Sequence, residues 1–440
     1  MKVIDKNKLS IAFTDKSLCT RSGTCIGVCP TQALSIGKEF YPEIDPEKCI
    51  ECGLCAKTCP GGRVMYKDLT EITFGHRKDS ETFDGYVSHT FVGHASDKQI
   101  RQGGAGGGVI TALLADLLDR NIVQGCIVTR MKPDKPWHGE AFIARNSKDL
   151  LASQQSKYII IPLNAVLQEI KKEPGIFAYA GLPCHIHGLR LFEREQPKWR
   201  EKIRVVIGLF CASALEPYVA EEMLECRGID KKSLKNFHFR GGEWPGRHRA
   251  ILNNKQIKNL HYSNFKDGAI NYLTYLYSPF RCQTCIDGAS EFSDISVSDA
   301  WTRNEQGQYL FQSQSKLLVR TSRGLEVIQD AIESGALIAS DVTQNQHYQT
   351  HRLHTRKKGL TAPIRVERLK QAGKTVPLYD RTCPTKSSRD RITEWLESSI
   401  MKAGEKRSIR YPLFKFLTSR YGIPIVKLRQ YIKSRKYRKR

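Results

Sequence analysis

Two stretches near the start, "CTRSGTCIGVCP" at 19–30 and "CIECGLCAKTCP" at 49–60, narrow the possible fold more than any other feature. The second is a complete C-x2-C-x2-C-x3-C-P run. Such a run gives three thiolates to one iron–sulfur cluster and lends the fourth to its neighbour. Cys49, Cys52 and Cys55, with Cys29 crossing from the first stretch, are expected to hold one 4Fe–4S cluster. Cys19 and Cys25, with Cys59 crossing back, are expected at a second, where Ser22 stands in place of the remaining cysteine. Three outcomes are open there: a serine or solvent oxygen on the fourth iron, a three-iron cluster, or an empty site. The three retained thiolates favour an occupied but altered cluster. Zinc is the competing use of four close cysteines, but the repeated triple followed by C-P argues for clusters.

Seven of the 14 cysteines fall between Cys19 and Cys59. That spacing is too tight for loop-closing disulfides and points to a reducing compartment. The opening "MKVIDKNKLSIAF" lacks the apolar core of a signal peptide. The longest nearly apolar run, Val205 to Leu215, is short of the ~20 residues a membrane span needs. The expected location is cytoplasmic, with peripheral contact at the inner face of the membrane. Charge carries that second clause. The chain has a net charge of +25, and residues 351–440 hold 26 Lys/Arg against 6 Asp/Glu. Such a tail is either a solvated charge run or a surface for anionic lipid, nucleic acid or an acidic partner. Tyr421, Ile425, Leu428 and Ile432 recur at helical spacing, which favours lipid; no RNA-binding signature accompanies them.

Between these ends, periodicity predicts an α/β region. Gly103 to Gly108 open a helix with Val109, Leu113, Leu114, Leu117 and Leu118 on one side and Asn121 as its stop. Val123 to Met131 reads as a buried strand, and Pro162 to Lys172 as a helix. "GIFAYAG" and "IRVVIGLFCAS" are strands, each followed by a helix; Gly228 closes the second. Such alternation predicts parallel strands with right-handed crossovers. It sets Cys184 and Cys211 at the carboxyl ends of successive strands, the edge where open α/β sheets bind ligands. "RCQTCIDG" and the short strand "DISVSDAW" follow. Cys126 is expected in the core, while Cys226 and Cys383 lack partners at useful spacing.

The segments "GGGVITALL", "SKYIIIPL", "GLPCHIHGL", "IGLFC" and "CQTCIDGASEFSDISVSDAW", in this order, resemble the beta subunit of coenzyme F420 hydrogenases and dehydrogenases with an amino-terminal ferredoxin extension. The resemblance runs from about Cys19 to Ile338. It implies a ferredoxin-type dicluster domain over 1–70, the family's N-terminal domain over 85–165, its C-terminal domain over 172–340, and a basic, partly helical tail over 341–440. The fold class expected is thus α+β and α/β, with a mixed α/β flavin-binding region. The resemblance implies an oxidoreductase binding FAD through Gly106, Gly107, Gly108, Thr111, Lys157 and Tyr158. A glycine turn opening a helix is independently a site for an anion, although many such turns serve only the backbone. Cys184, Cys211, Cys282 and Cys285 would hold a further 4Fe–4S cluster beside the flavin; a zinc knuckle is the alternative. His185 and His187 are the proton-donor candidates, though buried histidines are more often structural. Asp287, Asp294 and Asp299 are expected in supporting roles. The implied partners are a small, deazaflavin-like redox substrate or carrier and a partner oxidoreductase or ferredoxin.

Overall fold

The computed structural model describes residues 4–261, 270–304, 306, 308–344, 354–381, 386–425, 427, 428 and 431. Cys383 and Ile432 lie outside the described residues. The N-terminal unit is built on two short helices, Thr24–Val28 and Leu54–Lys57, and the hairpin β1 (Leu34–Ile36) and β2 (Pro42–Ile44). Strand β3 (Arg63–Val64) and the helix Tyr66–Phe74 complete it.

The body is one eight-stranded sheet. Its strands are β4 (His89–Ala95), β5 (Gly125–Met131), β6 (Gly139–Ala144), β7 (Phe177–Gly181) and β8 (Ile203–Leu209), followed below by β12 to β14. A separate sheet holds β9 (Leu234–Gly241), β10 (Arg247–Leu252) and β11 (Ile257–Asn259). The main sheet then takes β12 (Ile295–Asp299), β13 (Ser315–Val319) and β14 (Leu337–Asp341), in the order β14-β4-β13-β12-β8-β7-β5-β6. Its centre, β5-β7-β8-β12, is parallel, as the alternation predicted; β4, β6, β13 and β14 join it antiparallel.

Alternation along the strands explains the layers. Cys126, Val128, Ala178, Val205 and Ile207 turn to one face, against Leu113 and Leu117 of the helix Val109–Asp119 and Val327 of the helix Ser322–Glu333. Ile127, Phe177, Tyr179 and Val206 turn to the other, against Ile186 and Leu189 of the helix Pro183–Glu195. Val28, Tyr66 and Leu69 join that second core, so the N-terminal unit is packed onto the sheet. The helix Val109–Asp119 stops at Asn121, whose φ of 55° marks a left-handed end. The predicted helix 162–172 is shorter: a 3-10 turn Leu163–Val166 precedes Leu167–Ile170. Asn164 is drawn out of regular helix because its backbone N–H donates to Ser22 and its amide donates to Thr24 and to the His185 carbonyl.

After residue 354 the chain does not float free. A π-helical turn Thr355–Thr361 leads into helices Ala362–Gln371, Ser388–Glu405 and Arg407–Thr418, and β15 (Leu378–Tyr379) pairs with β3. Phe414 is seated against Tyr277 and His261. His261 in turn stacks on His248 with ring centroids 4.5 Å apart. Burial, with Arg240 nearby, pushes the His248 pKa down to about 3. Burial, His248 and Arg227 hold His261 well below its ordinary value. Both rings are neutral in the folded chain, while the unfolded chain protonates them below about pH 6.5. The unfolded state binds more protons in that window. Stability is therefore expected to fall as pH drops from about 6.5 toward about 3, by up to about 1.4 kcal/mol per pH unit for each ring. Urea melts across the window measure this, and His248→Phe should flatten the slope.

Candidate functional site

The two cysteine loops share one backbone design. Arg21 and Glu51, each two residues after its loop's first cysteine, both have φ of 53°. Gly23 and Gly53, two residues further on, have φ of 80° and 74°. Ser22 thus occupies the position in the first loop that Cys52 occupies in the second. Their surroundings differ. A Cβ on Gly23 would lie 2.7 Å from Ala165 N and Pro162 O, whereas one on Gly53 would meet nothing within 4 Å. Gly27 and Gly188 are crossed as tightly, by Asn164 and Thr24. The first loop is therefore pressed against the sheet body and the second faces solvent. Ser22 is buried and hydrogen-bonds Thr24 Oγ1 at 2.9 Å; Cys52 is exposed.

The cysteines of the two loops lie close together. Cys25 lies within electrostatic reach of Cys59 and Cys19. Cys29, Cys49, Cys52 and Cys55 line one hollow together with Leu9 and Ile44. Deeper in, Cys184 sits in the first turn after β7, and Cys211 two residues past β8, at adjacent carboxyl ends as predicted. Cys282 and Cys285 come from the helix Phe280–Gln283 and the residues after it, and both interact with Cys184 and Cys211. Burial pushes Cys19 and Cys55 up to about 11 and Cys211 up to about 12, and holds Cys25 and Cys184 well above their ordinary value. Such thiols stay protonated until a metal centre takes the place of the protons. Among the described residues no three His, Cys, Asp or Glu side chains converge as a lone metal ion requires.

Between the first loop and the quartet lies Arg281, buried. Its Nε donates to Gly61 O at 2.7 Å, Nη2 to Pro60 O at 3.1 Å and Nη1 to Tyr379 Oη at 2.9 Å. Its charge acts on Cys19 and Cys59 on one side and Cys184 and Cys285 on the other. Lys358, also buried, donates to Cys282 O at 2.6 Å and acts on Cys211. Arg365 donates to Gln283 O at 2.7 Å. Four thiolates around a cluster concentrate negative charge, and these buried cations offset it. Sequence reasoning missed all three. Arg281 looked like the first letter of "RCQTC", and Lys358 and Arg365 like part of a charge run.

Both histidines are committed to the scaffold. His185 Nδ1 accepts from the Leu182 N–H at 3.2 Å, and Nε2 bonds Ile161 O at 3.1 Å; burial pushes its pKa down to about 4. His187 Nε2 bonds Asp287 Oδ2 at 2.9 Å. Burial opposes the Asp287 carboxylate, but His187, Arg320 and the Ala289 N–H hold its pKa below the usual range. Asp294 ties β8 to its neighbours by accepting from Val206 N at 2.7 Å.

The glycine loop lies at the same carboxyl edge. A Cβ on Gly106 would lie 2.2 Å from Asp299 Oδ1, and one on Gly107 3.0 Å from Ser315 N. Gly107 and Gly108 have φ of 79° and 71°. Close backbone crossings thus account for these glycines. The helix that follows starts without a side-chain cap, which leaves N–H groups for an anion; Thr111 is buried in its first turn. Asp299 is held by Arg240 at 2.8 and 3.1 Å, and Arg240 also bonds Tyr158. Arg240 therefore links Asp299, which lies against Gly106, to Tyr158, which the resemblance assigns to FAD, and nothing in the sequence marked it. Lys157 directs its ammonium at the carbonyls of Ser153, Gln154 and Gln155. Cys126 is in the core as expected, donating to Leu114 O.

Cysteine sets in two N-terminal loops and at a sheet edge define the class as an iron–sulfur protein. The comparisons with known proteins give the family. The description "Coenzyme F420 hydrogenase/dehydrogenase, beta subunit" matches with its N-terminal part at residues 90–168 and its C-terminal part at 176–345, and "4Fe-4S dicluster domain" at 18–62. The chain belongs to the coenzyme F420 hydrogenase/dehydrogenase beta-subunit family and carries a 4Fe–4S dicluster domain ahead of it. It is 26% identical over 340 residues to the coenzyme F420-dependent sulfite reductase of Methanocaldococcus jannaschii, covering 73% of this chain and 47% of the relative. The chain thus spans about half the length of that relative. Residues of the N-terminal unit are 32% identical over 61 residues to "Ferredoxin 7Fe" of Hydrogenibacillus schlegelii, covering 14% of this chain and 77% of the ferredoxin. A chain of the F420-reducing NiFe hydrogenase complex from Methanosarcina barkeri, solved with xenon, shares the fold at TM-score 0.52 and 19% identity, over 68% of this chain and 98% of that one. Among the described residues no helix is long and apolar enough to cross a membrane.

Proposed function

We propose that this protein relays electrons from an exposed cluster at Cys29, Cys49, Cys52 and Cys55, through an inner cluster at Cys19, Cys25 and Cys59, to a third at Cys184, Cys211, Cys282 and Cys285, and on to FAD. The observation that carries the reading is Arg281, whose charge reaches Cys19 and Cys59 on one side and Cys184 and Cys285 on the other, while Cys52 of the second loop is exposed. When bound, FAD supplies the exchange of single electrons for a hydride equivalent with a deazaflavin-like or other small redox carrier. The chain's own residues bind and orient. The uncapped helix start at Val109 and Thr111 would hold the pyrophosphate, and Arg240 with Asp299 would position Tyr158 to hold the cofactor. His185 and His187 hold the turn that carries Cys184. The exposed second loop, with Ile50 60% exposed beside Cys52, is where a partner oxidoreductase or ferredoxin docks.

Ser22 makes the inner cluster a three-iron form. Its loop keeps the backbone of a complete one, which supports an occupied site, and the hydroxyl is engaged with Thr24. The related ferredoxin's name counts 7 irons, one fewer than two full cubes need. Anaerobic purification with iron, sulfide and flavin measured on one sample tests the whole reading. About eleven irons and about one FAD per chain are expected, with the signal of an oxidised three-iron cluster by EPR. Ser22→Cys should raise iron to about twelve and remove that signal. A colourless, zinc-bearing product without flavin would end the proposal.

A further inference from the structure

The C-terminal helices invert the ordinary surface pattern. In Ser388–Glu405 the buried side holds Glu394, Glu397 and Met401, while Ile392, Trp395, Leu396 and Ile400 face outward at 61%, 58%, 50% and 47% exposure. The acids are turned inward because partners wait there. Glu394 takes a bidentate pair from Arg368 at 2.8 and 2.9 Å and forms an ion pair with Arg365 at 3.2 Å. Glu397 accepts from Tyr275 at 2.9 Å and Thr361 at 3.0 Å. In Arg407–Thr418, Phe414 is buried while Ile409, Leu413 and Phe416 face outward. Both helices rest on the segment Ile270–Tyr277, through Tyr275 and Tyr277, so their outer faces look away from the same body. Tyr421, Ile425 and Leu428 continue the exposed apolar series.

Charge says what covers this face. Of the six acids after residue 350, Glu394 and Glu397 are buried, Glu367 is paired with Lys386, Asp380 accepts from the Tyr66 and Lys67 N–H groups, and Asp390 caps its own helix. That leaves Glu405 exposed and, among the paired acids, Glu367 partly exposed. The basic residues Arg389, Arg391, Lys402, Lys406 and Lys415 are exposed around the apolar rows. A second copy would set two strongly positive faces against each other. A nucleic acid would answer the charge but not a row of isoleucine and leucine. A bilayer with anionic headgroups answers both: aliphatic and aromatic side chains enter the headgroup–acyl boundary and Lys/Arg meet the phosphates. We infer that the outer faces of these helices dock this protein flat on an anionic lipid surface. The inference is independent of the electron-transfer reading, since it uses no cysteine.

The test is co-sedimentation of the full-length, cluster-loaded protein with vesicles of phosphatidylcholine alone or mixed with phosphatidylglycerol. Binding should appear with the mixed vesicles only and fall steeply with salt. The Trp395 contribution to fluorescence, taken as the difference from Trp395→Phe, should shift to the blue on binding. Ile392→Ser/Trp395→Ser/Leu396→Ser should weaken binding by about tenfold or more with iron content unchanged. Lys402→Glu/Lys406→Glu should weaken it in low salt and leave the folded protein intact. Equal sedimentation with both vesicle types, or with neither, overturns the inference. So does a salt-resistant dimer in solution that the triple variant dissolves, which would assign the face to a second copy. Retention on an acidic protein without any vesicle binding overturns it too.

Discussion

Replacing Cys285 with serine is expected to lower bound iron by about four per chain while leaving the EPR signals of the N-terminal clusters in place. In the proposed assignment the two regions share no ligand, and Cys29, Cys49, Cys52 and Cys55 line a hollow of their own. Cys285 is one of four thiols brought together from three separate stretches, so its loss opens the quartet without touching the ferredoxin-like backbone. Reduction of the outer clusters should then proceed normally while bound flavin is reduced only at the background rate. Stopped-flow spectra at flavin and cluster wavelengths separate the two events. Cys226→Ala is the control. That cysteine lies in the apolar cluster around β9 and β10, and its variant should keep all its iron. If Cys285→Ser retains full iron and full flavin reduction, the quartet is not a station on the path.

The second large effect is expected at Arg281. Arg281→Met removes a buried cation that acts on the cysteines of two proposed clusters at once. Adding an electron next to a lost positive charge is harder, so both midpoint potentials should move to more negative values, as redox-monitored EPR will read. The variant also leaves Gly61 O and Pro60 O without the Arg281 donor, while Tyr379 keeps its hydrogen bond to Thr284 O. Stability should fall by about 3–5 kcal/mol, since a buried polar group without a partner costs about 1–3 kcal/mol. Arg281→Lys keeps the charge and loses the fork. It should restore most of the potentials and little of the stability. Unchanged potentials in Arg281→Met would remove the guanidinium from the electron path and leave it a structural clamp.

Much of the site was legible because the signals are local. Cluster loops advertise themselves by cysteine spacing, which follows from how a short chain wraps a cube. Strand–helix alternation placed Cys184 and Cys211 at neighbouring strand ends, and β7 and β8 pair in parallel as that required. Residues whose role depends on what folds over them were not legible. The partners of His185 and His187, supplied by Ile161, Leu182 and Asp287, come from folding that the sequence does not display. Gly106 to Gly108 read as a phosphate cradle, but β4 and β13 also crowd them. The sheet β9–β11 and the antiparallel strands β4, β13 and β14 went unpredicted, because short strands pair with residues far away in sequence.

The amino-acid order alone therefore determined the sulfur loops, their missing fourth thiol at Ser22, the parallel centre of the sheet and the concentration of positive charge after residue 350. Tertiary structure decided which loop faces inward, that Arg281, Lys358 and Arg365 gather at the quartet, and that the acids of the last helices point in while their apolar residues point out. The division has one physical cause. Spacing and periodicity act over a turn or a strand, whereas a buried charge is tolerated only where a partner from a distant segment meets it.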